Sequence, residues 1–153
     1  MPRSEDESPA DAARRIIDEN SYATLATADA EGRPWATPVW FAERDLREFV
    51  WVSRTTRRHS QNVRQRPEIA LVVFDSAVPV GSASAVFVEA LAAEVSDAEL
   101  ASSLPVFNAK CEASGLPAWD ETRVSGEAPH RLYTATASLV WVLDEHEQRV
   151  PVL

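Results

Sequence analysis

Five arginines, one histidine and no carboxylate fall between Ser53 and Pro67, in a chain that is acidic overall. The order is Ser53-Arg54-Thr55-Thr56-Arg57-Arg58-His59-Ser60-Gln61-Asn62-Val63-Arg64-Gln65-Arg66-Pro67. One apolar run, Phe49-Val50-Trp51-Val52, precedes the segment, and another, from Ile69 to Phe74, follows it. The pattern predicts two strands joined through a short helix near Thr56–Arg64. Arg57 and Arg58 then stand at the helix start, where unpaired N–H groups and the positive dipole end favour an anion. Guanidinium groups add forked donors that match phosphate oxygens. Two readings stay open on these residues alone: a phosphate pocket for a nucleotide-like cofactor, or a solvated basic helix face.

Protein-borne catalysis has little to work with. His59, His130 and His146 are far apart and show no metal-ligand spacing, so no metal site is expected. Cys111 is the only cysteine, which excludes an internal disulfide and a cysteine-based zinc site. Ser60 and Ser125 lack a nucleophile-elbow context. Glu43, Asp45 and Glu48 read as solvated turn charges, and Glu89 as an outward-facing strand residue. Such a chain suits a cofactor that carries the chemistry while the protein supplies orientation and electrostatics.

The positioning elements are mostly strands. Ser8 and Pro9 open a helix running to about Glu19, with Ala12, Ile16 and Ile17 as its apolar stripe. Residues 1–8 read as a disordered tail, and 9–153 as one domain. Strands are expected over Tyr22–Ala28, Trp35–Ala42, Phe49–Ser53, Glu68–Phe74, Ser82–Val95 and Arg131–Leu143. Tight turns between short strands point to a mainly β antiparallel barrel or sandwich. The interval 96–130 differs. Ser96 to Glu99 is a capping box into a helix, Leu104-Pro105 is expected to interrupt it, and a second short helix covers Val106 to Glu112. Gly and Pro between Ser114 and His130 imply loop.

On Trp35–Phe41, alternation places Trp35, Thr37, Val39 and Phe41 on one face and Ala36, Pro38 and Trp40 on the other. Both faces are largely apolar, unlike a strand with one wet face. A partner subunit, a covering helix or a flat ligand must meet the second face. Pro38 removes a ladder donor, which fits an edge, a bulge or a close ligand approach.

A net charge of −9 with pI near 4.8 argues against nucleic acid and anionic membranes as partners. No apolar run is long enough to span a bilayer, and Met1–Ala10 is polar and acidic, unlike a signal peptide. The expected location is cytoplasmic.

Taken in order, these pieces resemble the pyridoxamine-phosphate-oxidase-like flavin-binding split-barrel family. The resemblance covers roughly residues 10–95. It runs through Ala23-Thr24-Leu25-Ala26-Thr27, Asp29 to Gly32 with Pro34, Thr37-Pro38-Val39-Trp40-Phe41 and Val50-Trp51-Val52-Ser53. It continues with Arg58-His59-Ser60-Gln61-Asn62-Val63-Arg64, Ala70 to Asp75, and Val86-Phe87-Val88-Glu89. Later segments, Val106-Phe107-Asn108-Ala109, Gly115-Leu116-Pro117, Trp119 and His130 to Tyr133, look like an actinobacterial-type subgroup.

The resemblance implies a six-stranded antiparallel split β-barrel with peripheral helices. It implies a homodimer with FMN in a groove at the interface. By position, Ser53, Arg58 and His59 would hold the flavin phosphate, joined by Arg57 from the reading of the helix start; Asn62 would fix the short helix behind them, and the backbone of Ala36, Thr37, Pro38 and Val39 would pass along the isoalloxazine ring. Where true pyridoxamine phosphate oxidases carry an arginine and a lysine on the second strand, this chain has Thr37 and Ala42. His59 replaces a lysine of the helix-start motif, and the arginine-rich C-terminal signature is absent. The implied activity is therefore a flavin-dependent oxidoreductase on a small organic substrate, other than pyridoxamine phosphate oxidation. The deazaflavin F420 is the alternative cofactor, and a non-catalytic flavin- or haem-binding carrier or sensor the alternative role. Phe107, Asn108, Leu116 and Trp119 are expected to line the substrate side of the ring, or else to plug the barrel end.

Overall fold

The structure, a computed structural model, describes residues 6–153. Helix α1 spans Pro9–Glu19, with Ser8 capping it by accepting the Asp11 N–H at 3.1 Å. The expected disordered tail lies for residues 1–5 outside the described residues. Of the remainder, Glu7 pairs with Arg15 at 3.0 Å.

Six strands close on themselves: β1 (Tyr22–Ala28), β2 (Pro34–Arg44), β3 (Glu48–Arg54), β4 (Glu68–Phe74), β5 (Ala85–Glu94) and β6 (His130–Leu143). The order is β3-β2-β1-β4-β5-β6, and β3 pairs with β6 to shut the barrel. All these pairings are antiparallel. The expected six-stranded antiparallel barrel is therefore present. Alternation fills it: Ala23 and Leu25 of β1, Ile69, Leu71 and Val73 of β4, and Val86 and Val88 of β5 point inward. Ala12, Ala13, Ile16 and Ile17 of α1 join the same core.

A second apolar cluster lies outside the barrel wall. Ala42, Val50 and Leu132 pack there against Leu100, Leu104, Phe107 and Cys111 of α3 (Asp97–Ala113). The predicted break at Leu104-Pro105 does not occur. Pro105 removes one helical N–H, yet the helix is continuous because its buried stripe continues in register across the proline. Loop residues 114–129 include a short 3₁₀ turn, Glu121–Val124. A seventh strand, β7 (Arg149–Pro151), was not expected. It pairs with β6, and Val152 donates its N–H to Val140 O at 2.8 Å. Val150 and Val152 pack against the barrel core, while Leu153 is exposed.

The two-faced strand resolves into halves. The outer face of its second half, Trp40 and Ala42, is covered by α3. In the first half Pro34, Trp35, Ala36 and Pro38 are exposed, with Trp35 at 41%, and Thr37 is half-buried.

Candidate functional site

The site begins where the barrel closes. In the β3–β6 ladder, Ser53 lies opposite Arg131 and Arg54 opposite His130. The chain then turns into α2, which spans Arg58–Gln65 with Arg57 at its N-cap. Arg57 offers no side-chain capping bond, so the first N–H groups of α2 remain unsatisfied by a cap. Three polar contacts fix this helix. Ser60 Oγ donates to Arg54 O at 2.8 Å. The buried Asn62 Nδ2 donates to Thr27 Oγ1 at 3.0 Å. Arg66 Nε donates to Asp29 O at 3.1 Å.

A hollow of about 370 Å³ results, walled by Trp35 and Thr37 of β2, Ser53 of β3, and Arg57, Arg58 and His59 at the α2 start. Ser53 Oγ and His59 Nε2 hydrogen-bond at 2.8 Å. Burial, then the charge of Arg57, lowers the His59 pKa from the ordinary imidazole value. The ring is neutral at pH 7 and holds the serine hydroxyl in place. The Arg58 guanidinium sits 4.4 Å from the Trp35 ring centroid. Among the described residues, Arg54, Arg57 and Arg58 form no ion pair with a carboxylate. This is a cluster of cationic donors without a paired carboxylate, suited to a phosphate.

A second hollow, of about 390 Å³, adjoins the first and shares Val52 and His130 with it. Its walls are aromatic. Trp40 and Phe107 meet edge to face at 5.2 Å, and Phe107 and Trp119 at 6.4 Å. Trp119 meets His130 at 5.5 Å. Burial, followed by Arg54, Arg123 and Arg57, lowers the His130 pKa.

The structure brings Thr37, Ser53, Arg57, Arg58 and His59 to one hollow, with Asn62 behind them. Ala36 and Pro38 are exposed on β2 nearby, whereas the Val39 side chain is buried in the barrel, leaving it only a backbone to offer. Phe107 and Trp119 wall the second hollow. Phe107 is also 4% exposed and part of the outer cluster, so the lining and plugging roles coincide. Asn108 makes two hydrogen bonds to the Trp119 backbone, using one N–H of its amide and its oxygen. Sequence reasoning missed Trp35, Arg54, Arg123 and His130. His130 and Arg54 meet only through the β3–β6 register, for which the local sequence carries no signal.

The chain belongs to the pyridoxamine 5'-phosphate oxidase family, whose profile matches residues 9–142. No curated protein matches the sequence. Among solved structures, it is similar to a haem-binding protein from Mycobacterium smegmatis, with TM-score 0.76 and 17% identity over 97% of this chain and 59% of that one. The chain thus spans under two thirds of that protein's length. It is similar to HutZ, the haem storage protein of Vibrio cholerae, with TM-score 0.65 and 19% identity over 84% and 90% of the two chains. An F420 reductase matches with TM-score 0.55 and 21% identity over 78% and 87%. At these identities the likeness establishes the fold. Among the described residues no helix is long and apolar enough to cross a membrane, and no cluster of ligating side chains suits a metal ion.

Proposed function

We propose that the protein is an FMN-dependent oxidoreductase for a small organic substrate, acting as a homodimer with the cofactor between subunits. The observation that carries this reading is the arginine-lined hollow at the uncapped start of α2, free of carboxylates and bordered by an exposed apolar strand. Arg57, Arg58 and the first N–H groups of α2 would hold the phosphate. Ser53, held by His59, adds a hydroxyl. The exposed stretch Ala36–Pro38, with the backbone of Val39, would flank the ring. Bound FMN supplies reversible electron transfer at its ring system. Phe107 and Trp119 would wall the substrate side, with Asn108 fixing Trp119 in place.

F420 also carries a phosphate and suits the same hollow. One observation favours a haem-binding carrier as the second reading: the neutral imidazole of His130 stands between an arginine-lined and an aromatic-lined hollow. Iron would take His130, and the haem carboxylates would take the arginines.

Absorption and mass spectra of protein from a host that makes FMN and F420 identify the cofactor. Titration of apo-protein with FMN, F420 and haemin then tests the site. Arg58→Ala removes a charge-assisted donor of roughly 1.5–3 kcal/mol and should weaken FMN binding about ten- to a hundredfold. Unchanged affinity for both FMN and F420 rejects the pocket. Haemin binding abolished by His130→Ala, with no flavin bound, replaces the flavin reading by the carrier. Reoxidation of the reduced cofactor no faster with any candidate acceptor than with oxygen alone would argue against catalysis.

A further inference from the structure

We propose that the second hollow selects flat aromatic carboxylates, and that Arg123 reads the carboxylate; the inference rests on the cofactor reading above and names its substrate class. The Arg123 guanidinium lies 3.8 Å from the Trp119 ring centroid. Stacking uses the face of a guanidinium and leaves its edge donors available. Among the described residues, no carboxylate lies within 4.0 Å of the Arg123 side chain, and that side chain donates no hydrogen bond. Asp120, an acid that feels its charge, is already engaged by the Thr122 N–H at 2.9 Å and the Thr122 hydroxyl at 3.0 Å. Arg131 is the contrast: it donates to Ala128 O and His130 O and pairs with Glu94 at 3.2 Å. Arg123 is thus a cation at the mouth of an aromatic hollow with its fork unused.

The rest of the hollow agrees with that chemistry. Trp40, Phe107 and Trp119 give the hollow aromatic walls against which a planar ring can pack. The volume of about 390 Å³ suits a molecule of one or two rings. Burial and then Arg54, Arg123 and Arg57 lower the His130 pKa. The same arginines repel a cation. The hollow with several arginines suits the doubly charged phosphate, and the hollow with one fork suits a planar monoanion.

The test is calorimetric titration of the full chain, loaded with FMN, with 2-naphthoate, 2-naphthalenemethanol and 2-naphthylmethylammonium. Naphthoate should bind about tenfold or more tightly than the alcohol, and the ammonium more weakly still. Arg123→Gln should abolish the preference while FMN affinity and melting temperature hold, and Arg123→Lys should retain part of it. Equal affinity for the three probes, absence of naphthoate binding, or a preference that survives in Arg123→Gln overturns the proposal. A chain that binds FMN without discriminating overturns the substrate class alone. A chain that binds no FMN, yet discriminates among the probes when titrated without it, overturns the cofactor reading and leaves the carboxylate site standing.

Discussion

Asn108 holds Trp119 by both ends of its amide. Its Nδ2 donates to the Trp119 carbonyl at 2.9 Å, and its Oδ1 accepts the Trp119 N–H at 2.8 Å. A helix side chain thereby ties down a loop residue that has no ladder to bond with. Asn108→Ala should lower stability by roughly 1–3 kcal/mol, since both backbone groups lose their partner. Hydrogen exchange at the Trp119 amide should accelerate. An unchanged exchange rate would show that the loop holds itself.

Phe107 and Trp119 should part company under truncation. Phe107 is buried in the outer cluster, so Phe107→Ala should cost roughly 3–5 kcal/mol. Trp119 is half-buried, so Trp119→Ala should cost less and instead impair substrate affinity or turnover. Equal losses of melting temperature, with turnover per folded molecule intact, would assign both residues to packing.

Leu46 is buried at 1% exposure in the left-handed region, with φ 56°, a conformation unfavourable to a bulky side chain. Its N–H donates to Glu43 Oε2 at 2.8 Å. Burial, with Asp18 and Asp45 adding to it, raises the Glu43 pKa. The folded state therefore binds this proton more tightly than the unfolded state. The associated stability is present at low pH and lost as pH rises through the folded value. Glu43→Gln keeps an acceptor and removes the charge, so it should melt higher than wild type at neutral pH. That advantage should shrink on acidification toward the ordinary carboxylate range. An advantage that grows on acidification contradicts the assignment.

His59 works in the opposite sense. Its folded pKa is depressed, so its contribution is complete above the unfolded value and falls away as pH drops below it. Apo-protein should lose melting temperature faster than His59→Gln between about pH 6.5 and pH 5. A bound phosphate should reduce the difference by favouring the imidazolium. Parallel pH profiles for the two apo-proteins would remove His59 from this account.

The exposed half of β2 predicts association. Trp35, Ala36 and Pro38 leave an apolar strip beside the phosphate hollow. Sedimentation equilibrium at low micromolar concentration should show a species of twice the 16.9-kDa chain mass. A monomer with cofactor intact would sink the two-subunit site.

The barrel was legible because its strands alternate and its turns are short and polar. The phosphate hollow was legible because Ser53, Arg57, Arg58 and His59 are close neighbours in the chain. Two things were not. Pro105 reads locally as a break, but tertiary burial of Leu100, Leu104, Phe107 and Cys111 outweighs the one missing helical bond. The pairing of Asn108 with the Trp119 backbone depends on the path of the loop, which the local sequence does not show. The fit of His130 and Arg54 depends on a pairing between distant segments, and Arg123 sits in a turn of ordinary composition.

Both hollows straddle the seam at which β3 meets β6, with Val52 on one side and His130 on the other. That seam joins segments far apart in sequence, and it is the pairing that closes the barrel. A molecule seated across the seam binds only the closed barrel. Such a ligand should act as a brake on opening, stabilising the closed barrel increasingly as its concentration exceeds its dissociation constant.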